Sequence, residues 1–214
     1  MKILIAVPCH DMVHAEFNRC MMELERPEGI EIGYAQITGT LVYIARTLIA
    51  NKAVELGFDR VLWIDSDMTP PADTLIRLNA DMDKGLDMVC GIYFTRKTPV
   101  LPGIHSHLHW GIKEDGWVDT DCRCYTDYPE DSLFEVACCG FGCVMTSAKL
   151  LKDMNEKYGS PFYPLMGMGE DTTFCWRATQ NGYHIYCDSS VKVGHLGLYE
   201  FNEETWRANR DYKG

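Results

Sequence analysis

Long apolar runs are missing from this chain of 214 residues. No stretch approaches the ~18 consecutive apolar residues that a membrane-crossing helix needs. The N-terminal apolar stretch, Ile3 to Val7, is too short for a signal-peptide core, so a soluble, cytoplasmic protein with no transmembrane segment is expected. Positive charge is also in deficit. The formal net charge is −11, and a surface of that sign repels phosphate backbones, which argues against nucleic acid as a partner and weakly against an anionic membrane. Internal repeats, low-complexity tracts and an interdomain linker are absent as well. One domain with one sizeable core is therefore expected over residues 1–214.

Cysteine, by contrast, is plentiful, with ten residues in an otherwise ordinary composition of 46% apolar and 24% charged. Without a secretory signal these do not read as a disulfide framework. Cys90, Cys138, Cys139, Cys143 and Cys187 lie inside apolar runs, where cysteine behaves as a small buried hydrophobe. Cys122-Arg123-Cys124, with His105, His107 and His109 upstream, has the residue types of a zinc site but not the usual C-x₂-C spacing. Whether it binds zinc stays open at this level.

The patterning alternates strands with helices. Lys2 to Val7 reads as a buried strand ended by Pro8, and Ile30 to Ile37 as a second with Gly39 as its breaker. From Thr40, the residues Leu41, Ile44, Ala45, Leu48, Ile49, Ala53 and Leu56 recur at helical spacing up to Gly57. Arg60 to Ile64 is a strand. Thr69 as N-cap and Pro70 at the first helical position predict another helix, and Asp87 to Tyr93 a further strand. Thr95 to Asp131 shows no clear period and is expected to be irregular. Leu133 to Met145 is strand-like, Ala148 to Tyr158 and Gly169 to Asn181 are helical, and Tyr183 to Cys187 and Val191 to Val193 are short strands. Such alternation predicts an α/β fold with a mostly parallel sheet.

Three places carry chemistry. Asp65-Ser66-Asp67 follows the Arg60–Ile64 strand, at the strand end where α/β folds bind ligands. Strand alternation lets Asp65 and Asp67 converge on one point, and paired carboxylates suit a hard cation, Mg²⁺ or Mn²⁺. Glu170-Asp171 opens a helix after Gly159, Gly167 and Gly169, which suggest a loop that carries the carboxylates to a cleft. Complementing the helix dipole is the bland alternative for this acidic pair. His195 stands between Gly194 and Leu196-Gly197 after a strand, as a ligand or as a structural histidine.

Taken in order, these blocks resemble the family-two glycosyltransferases of the GT-A fold. The likeness is carried by Ile3 to Pro8, Ala45-Arg46, Val61 to Asp67, Gly140 to Met145, Gly169 to Ala178, Gly182-Tyr183 and Val193-Gly194-His195. It spans about residues 1–200. It implies a Rossmann-like, mostly parallel mixed sheet flanked by helices in a single domain, with residues 1–95 binding the nucleotide sugar and 96–214 the acceptor and catalysis. It further implies a metal-dependent, inverting enzyme that moves a sugar from a nucleotide-diphosphate sugar, a UDP-sugar favoured, to the hydroxyl of a carbohydrate or other acceptor. By the same likeness Asp67 and His195 ligate Mn²⁺ or Mg²⁺, Asp65 contacts the metal shell or the ribose beside Ser66, and Asp171 is the base with Glu170 beside it. Pro8, Cys9 and His10 match the loop that holds the nucleoside, and Arg46 a helix position near it.

Two departures accompany the resemblance. Relatives commonly place an acidic residue near the end of the second strand to read the base, and here Tyr34-Ala35-Gln36 stands there, leaving Gln36 as the base contact. The additional membrane segment or domain of many relatives has no counterpart, so acceptor contacts fall to the 95–131 stretch. Trp110 and Trp117 are candidates there to stack on a sugar, with capping the core as their other role. Three other readings were open. One is a non-catalytic sugar-nucleotide or carbohydrate-binding protein. Another is a haloacid-dehalogenase-type phosphatase, since Asp65-Ser66-Asp67-Met68-Thr69 also fits D-x-D-x-T. A sugar-phosphate nucleotidyltransferase is disfavoured, because residues 8–14 lack the glycines that cradle a triphosphate.

Overall fold

The computed structural model describes residues 1–197 and 200–209. β1 (Lys2–Pro8), β2 (Glu31–Ile37), β3 (Arg60–Ile64), β5 (Met88–Ile92) and β11 (Ile185–Lys192) point the same way in a seven-stranded mixed sheet. β10 (Cys143–Ser147) and β8 (Leu133–Val136) run against them. The order is β2-β1-β3-β10-β5-β11-β8, so β10 is wedged antiparallel between β3 and β5. The fold is thus a single α/β domain with a Rossmann-like mixed sheet, as expected.

Strand alternation builds a core on each face of this sheet. Ile3, Ile5, Val7, Leu62 and Ile64 point to one side, where α1 (Ala15–Glu23) adds Phe17 and α3 (Thr74–Met82) adds Leu75, Leu78 and Met82. Leu4, Ala6, Val61 and Trp63 point to the other, under α2 (Val42–Glu55), α4 (Ala148–Tyr158) and α5 (Glu170–Gln180). Strands buried on both faces need continuous apolar runs, which is what Ile3–Val7 and Val61–Ile64 supply. The buried Trp63 ring meets Phe141 and Phe162 edge-on at centroid distances of 6.1 and 5.5 Å. Its indole N–H donates to Thr146 Oγ1 at 3.0 Å.

Several local expectations need correction. Helix α3 starts at Thr74 with Asp73 before it, so Thr69 is no N-cap and Pro70 opens no helix. Met68–Thr69 instead forms β4, which pairs antiparallel with β12 (Gly194–His195). This tertiary pairing overrides the local capping signal. Residues 95–131 are not irregular throughout: β6 (Ile104–Ile112) and β7 (Val118–Cys124) form a hairpin that β9 (Cys138–Cys139) joins. The run from Leu133 to Met145 is divided among β8, β9 and β10. On α2 the helical stripe is only half buried: Ala45, Ile49 and Ala53 face the sheet, whereas Leu41, Ile44, Leu48 and Leu56 are exposed. Helices α1 and α6 (Glu203–Asn209) lie in segments with no helix expected. The cysteines placed in apolar runs are all buried, and all ten are free thiols.

Replacing Trp63 with Ala should lower the unfolding free energy by about 3–5 kcal/mol, from the cavity left behind and the stranded Thr146 hydroxyl. Urea unfolding measures it. A loss below ~1 kcal/mol would show that the Phe141–Phe162 cluster closes over the gap.

Candidate functional site

β1 and β3 end side by side at the carboxyl edge of the sheet, with Ala6 in register with Trp63. A cavity of about 340 Å³ opens at this edge. Pro8, Cys9 and His10 line it from the end of β1, Thr40 and Leu41 from the approach to α2, and Asp65, Ser66 and Asp67 from the end of β3. Six of the residues expected to bind the nucleotide sugar or metal thus come together. Gln36 does not line this cavity; it lies on exposed β2 and accepts a hydrogen bond from the Tyr34 hydroxyl at 2.9 Å. A larger cavity, about 460 Å³, sits at the opposite edge of the sheet by Asp87, Lys149, Asp153 and Tyr183. Lys149, Asp153 and Tyr183 already bond one another there, and none of the expected site residues is near it.

Asp65 and Asp67 line one cavity, yet their carboxylates diverge. Strand β3 stops at Ile64, and the Met68 N–H donates to the Asp65 carbonyl at 3.1 Å, closing a turn that breaks the strand alternation. Asp65 keeps the parity of Trp63 and reaches under α2, where both its oxygens accept from Arg46 Nη2, at 2.8 and 3.1 Å. The other arm of the same guanidinium, Nη1, donates to Glu170 Oε1 at 2.5 Å. Arg46 is only 2% exposed, and its guanidinium lies 5.2 Å from the centre of the Phe141 ring. It does not line the cavity with Pro8, Cys9 and His10, the loop expected to hold the nucleoside; it ties the end of β3 to the start of α5. Burial pushes the Asp65 carboxyl up from its ordinary range, against the pull of Arg46.

Asp67 turns the other way. Its Oδ2 lies 3.6 Å from His195 Nε2 and 3.0 Å from Arg96 Nη1. The β4–β12 pair delivers this meeting, since His195 is in register with Met68 and the Leu196 N–H donates to the Asp67 carbonyl at 2.7 Å. Gly194 permits it: a Cβ there would fall 2.2 Å from Thr69 Oγ1 and closer still to Glu200. His195 Nδ1 is 2.8 Å from the Phe94 carbonyl, which can only accept. Nδ1 therefore carries a proton, and Nε2 is the nitrogen that faces Asp67: protonated, it attracts the carboxylate, and deprotonated, it offers a lone pair of the kind histidines give to metals. Burial raises the Asp67 carboxyl, but His195 and Arg96 more than offset it and hold it below the usual carboxylate range. Among the described residues no three His, Cys, Asp or Glu side chains are grouped to hold a metal ion. The expected trio of Asp65, Asp67 and His195 is reduced to its last two members, because Asp65 is committed to Arg46.

Asp171 occupies the first turn of α5 and lines a separate cavity of about 170 Å³ with Tyr93, Gly103, His105 and Gly140. Its Oδ1 accepts from the Thr172 N–H at 2.6 Å and the Thr172 hydroxyl at 3.2 Å. Oδ2 faces Gly140 and makes no hydrogen bond among the described residues. A side chain at Gly140 would close this space, since its Cβ would meet Asp171 Oδ2 at 3.4 Å and overlap the Tyr93 hydroxyl. Burial, with Asp171 and Asp65 adding to it, pushes the Tyr93 phenol well above its ordinary value.

The two tryptophans differ. Trp110 packs edge-on against Trp176 at 5.2 Å and its N–H donates to the Met166 carbonyl at 3.0 Å. Trp117 is 74% exposed beside Met166 and Gly167. The histidines and cysteines of the hairpin do not assemble around one point. His107 and His109 lie 3.6 and 3.8 Å from Asp121 and Asp119, and the Cys124 thiol donates to the Pro102 carbonyl at 3.2 Å. His105 is in register with Cys124, and its buried Nδ1 has no hydrogen-bond partner among the described residues. Tyr93 and Arg96 had gone unsuspected as site residues; Arg96 follows a strand in a stretch without periodicity and carries no motif.

Two consequences can be measured. Arg46→Met leaves the Asp65 and Glu170 carboxylates without their shared cation, and should cost about 3–5 kcal/mol in urea unfolding; a near-neutral result would mean that both carboxylates relax to water. The Cys122 thiol is held down at about 5 by Cys138 first, and by His105, against its burial. Iodoacetamide should therefore label Cys122 fastest and keep its rate down to about pH 6, because the thiolate is the nucleophile. A rate that drops about tenfold per pH unit below 8 would mark an ordinary thiol.

No family model matches this sequence, and a search of curated proteins finds no match. Solved structures do match. A197 from STIV superposes with a TM-score of 0.65 at 21% identity, over 92% of this chain and 86% of that one. 4-diphosphocytidyl-2C-methyl-D-erythritol synthase from Anaerococcus prevotii gives 0.48 at 11% identity, over 86% and 85%. The first of these likenesses establishes that the fold is shared across nearly the whole chain, and it speaks to the fold alone.

Proposed function

We propose that this chain is a metal-dependent, inverting glycosyltransferase that uses a nucleotide-diphosphate sugar. One observation carries the reading: buried Arg46 ties Asp65, which lines one cavity together with Asp67, to Glu170, whose neighbour Asp171 lines a second cavity with an Oδ2 that makes no hydrogen bond among the described residues. A donor and an acceptor held on either side of one rigid tie are what a displacement between them requires.

In this reading Pro8, Cys9, His10 and Ser66 hold the nucleoside end of the donor. Asp67 and His195 Nε2 would hold a hard cation, Mn²⁺ or Mg²⁺, as its two protein ligands. When bound, the cation offsets the charge that grows on the departing diphosphate. The acceptor oxygen attacks the anomeric carbon from the face opposite the diphosphate, one C–O bond forming as the other breaks, and its proton passes to Asp171 Oδ2. Thr172 keeps Oδ1 occupied and so turns Oδ2 to the acceptor. Glu170, bound to Arg46, orients the helix start and is not the base. Exposed Trp117 suits stacking on an acceptor sugar better than Trp110, whose indole is committed to Met166. The Arg46 clamp on Asp65 counts against a D-x-D-x-T phosphatase, whose nucleophile that carboxylate would be.

A thermal-shift panel of UDP, GDP, CDP and dTDP, each with and without Mn²⁺, tests the reading. One nucleotide should stabilise the protein only when Mn²⁺ is present, by about 2.7 kcal/mol at a hundredfold excess over Kd. Absence of metal-dependent stabilisation by all four would remove the donor site. Asp171→Asn should keep that binding and lose sugar transfer.

A further inference from the structure

The loop after β5 brings a guanidinium to the position a metal would take. Arg96 Nη1 lies 3.0 Å from Asp67 Oδ2, the same oxygen that faces His195 Nε2, and 3.0 Å from the Leu196 carbonyl. A divalent cation shared by Asp67 and His195 and the Arg96 guanidinium compete for one oxygen, and like charges at such distance repel. The Arg96 side chain is 43% exposed, and its only partners among the described residues are that carboxylate and that carbonyl. It can therefore leave without opening the core. Nε and Nη2 make no hydrogen bond among the described residues, so the planar fork that matches phosphate oxygens is available.

We propose that Arg96 is a positioning residue that competes with a divalent cation for Asp67 and moves to the donor's diphosphate when the cation enters. Metal entry is thereby coupled to donor binding. The diphosphate draws the guanidinium off Asp67, and the vacated oxygen, with His195 Nε2, takes the cation. Without a diphosphate, Arg96 keeps the affinity for the cation low. This rests on the proposed function, its donor half on the nucleotide-sugar site and its competition half on Asp67 and His195 as ligands of the cation, and the two halves are tested apart.

Manganese binding to the nucleotide-free protein, followed by the electron paramagnetic resonance of free Mn²⁺, separates the two. Arg96→Gln should bind Mn²⁺ about tenfold tighter than the unaltered protein, a gain that a merely structural role would not produce, and Asp67→Asn should abolish the gain. Equal or weaker Mn²⁺ binding in Arg96→Gln overturns the competition. In a second arm, the nucleoside diphosphate that binds best should bind Arg96→Gln about tenfold more weakly in saturating Mn²⁺. Undiminished binding there overturns the role on the diphosphate. If no nucleoside diphosphate binds the unaltered protein, the glycosyltransferase reading fails, while the Mn²⁺ comparison still decides whether Arg96 guards Asp67.

Discussion

A single buried cation organises the site. Arg46 lies deep under α2 with its guanidinium against Phe141, and it is tolerable there only because Asp65 and Glu170 reach it from segments more than 100 residues apart. The two carboxylates in turn are tolerable in that half-buried place only because Arg46 is between them. That mutual requirement holds the end of β3 and the start of α5 in one relation. The cavity beside Asp67 and the cavity beside Asp171 are positioned against each other through it.

The rest of the arrangement is a matter of how strand ends are finished. Strand β3 could have run on and kept Asp65 and Asp67 on one face. Instead it breaks into a turn, and the small β4–β12 pair, made possible by the bare backbone at Gly194, brings His195 to Asp67. One carboxylate is thus tied to buried Arg46 and the other faces His195 and Arg96. The hydrogen bond from His195 Nδ1 to the Phe94 carbonyl finishes the task by fixing which ring nitrogen is available.

Much of this was legible in the chain. The runs Ile3–Val7 and Val61–Ile64 read as buried strands, because burial on two faces leaves no polar position in the pattern. Helices α2, α4 and α5 followed from period and punctuation. The misses have physical causes. Thr69-Pro70-Pro71 is a sound helix start whose local preference lost to long-range pairing with Gly194-His195. The hairpin β6–β7 does carry the two-residue period, Ile104, Leu108, Trp110 and Ile112 alternating with His105, His107 and His109, and Val118, Thr120 and Cys122 with Asp119, Asp121 and Arg123. Its high polar content among Gly, Pro and Asp residues hid that period. The exposed leucines of α2 made that helix's apolar face look broader than the one it buries.

For the site, the sequence by itself determined which residue types were available and at which strand and helix ends they stood: Asp65 to Asp67 after β3, Glu170-Asp171 at the head of α5, His195 after a late strand. Those placements follow from local rules of strand, turn and helix start, which act over a few residues. Only the tertiary structure decided the division of labour among them. That Asp65 and Glu170 hold Arg46, that Asp67 meets His195 and Arg96, and that Asp171 keeps one oxygen unbonded before Gly140 all depend on contacts between segments far apart in the chain. No local period encodes them, because a charge buried in a fold is settled by whichever opposite charge the packing brings within reach.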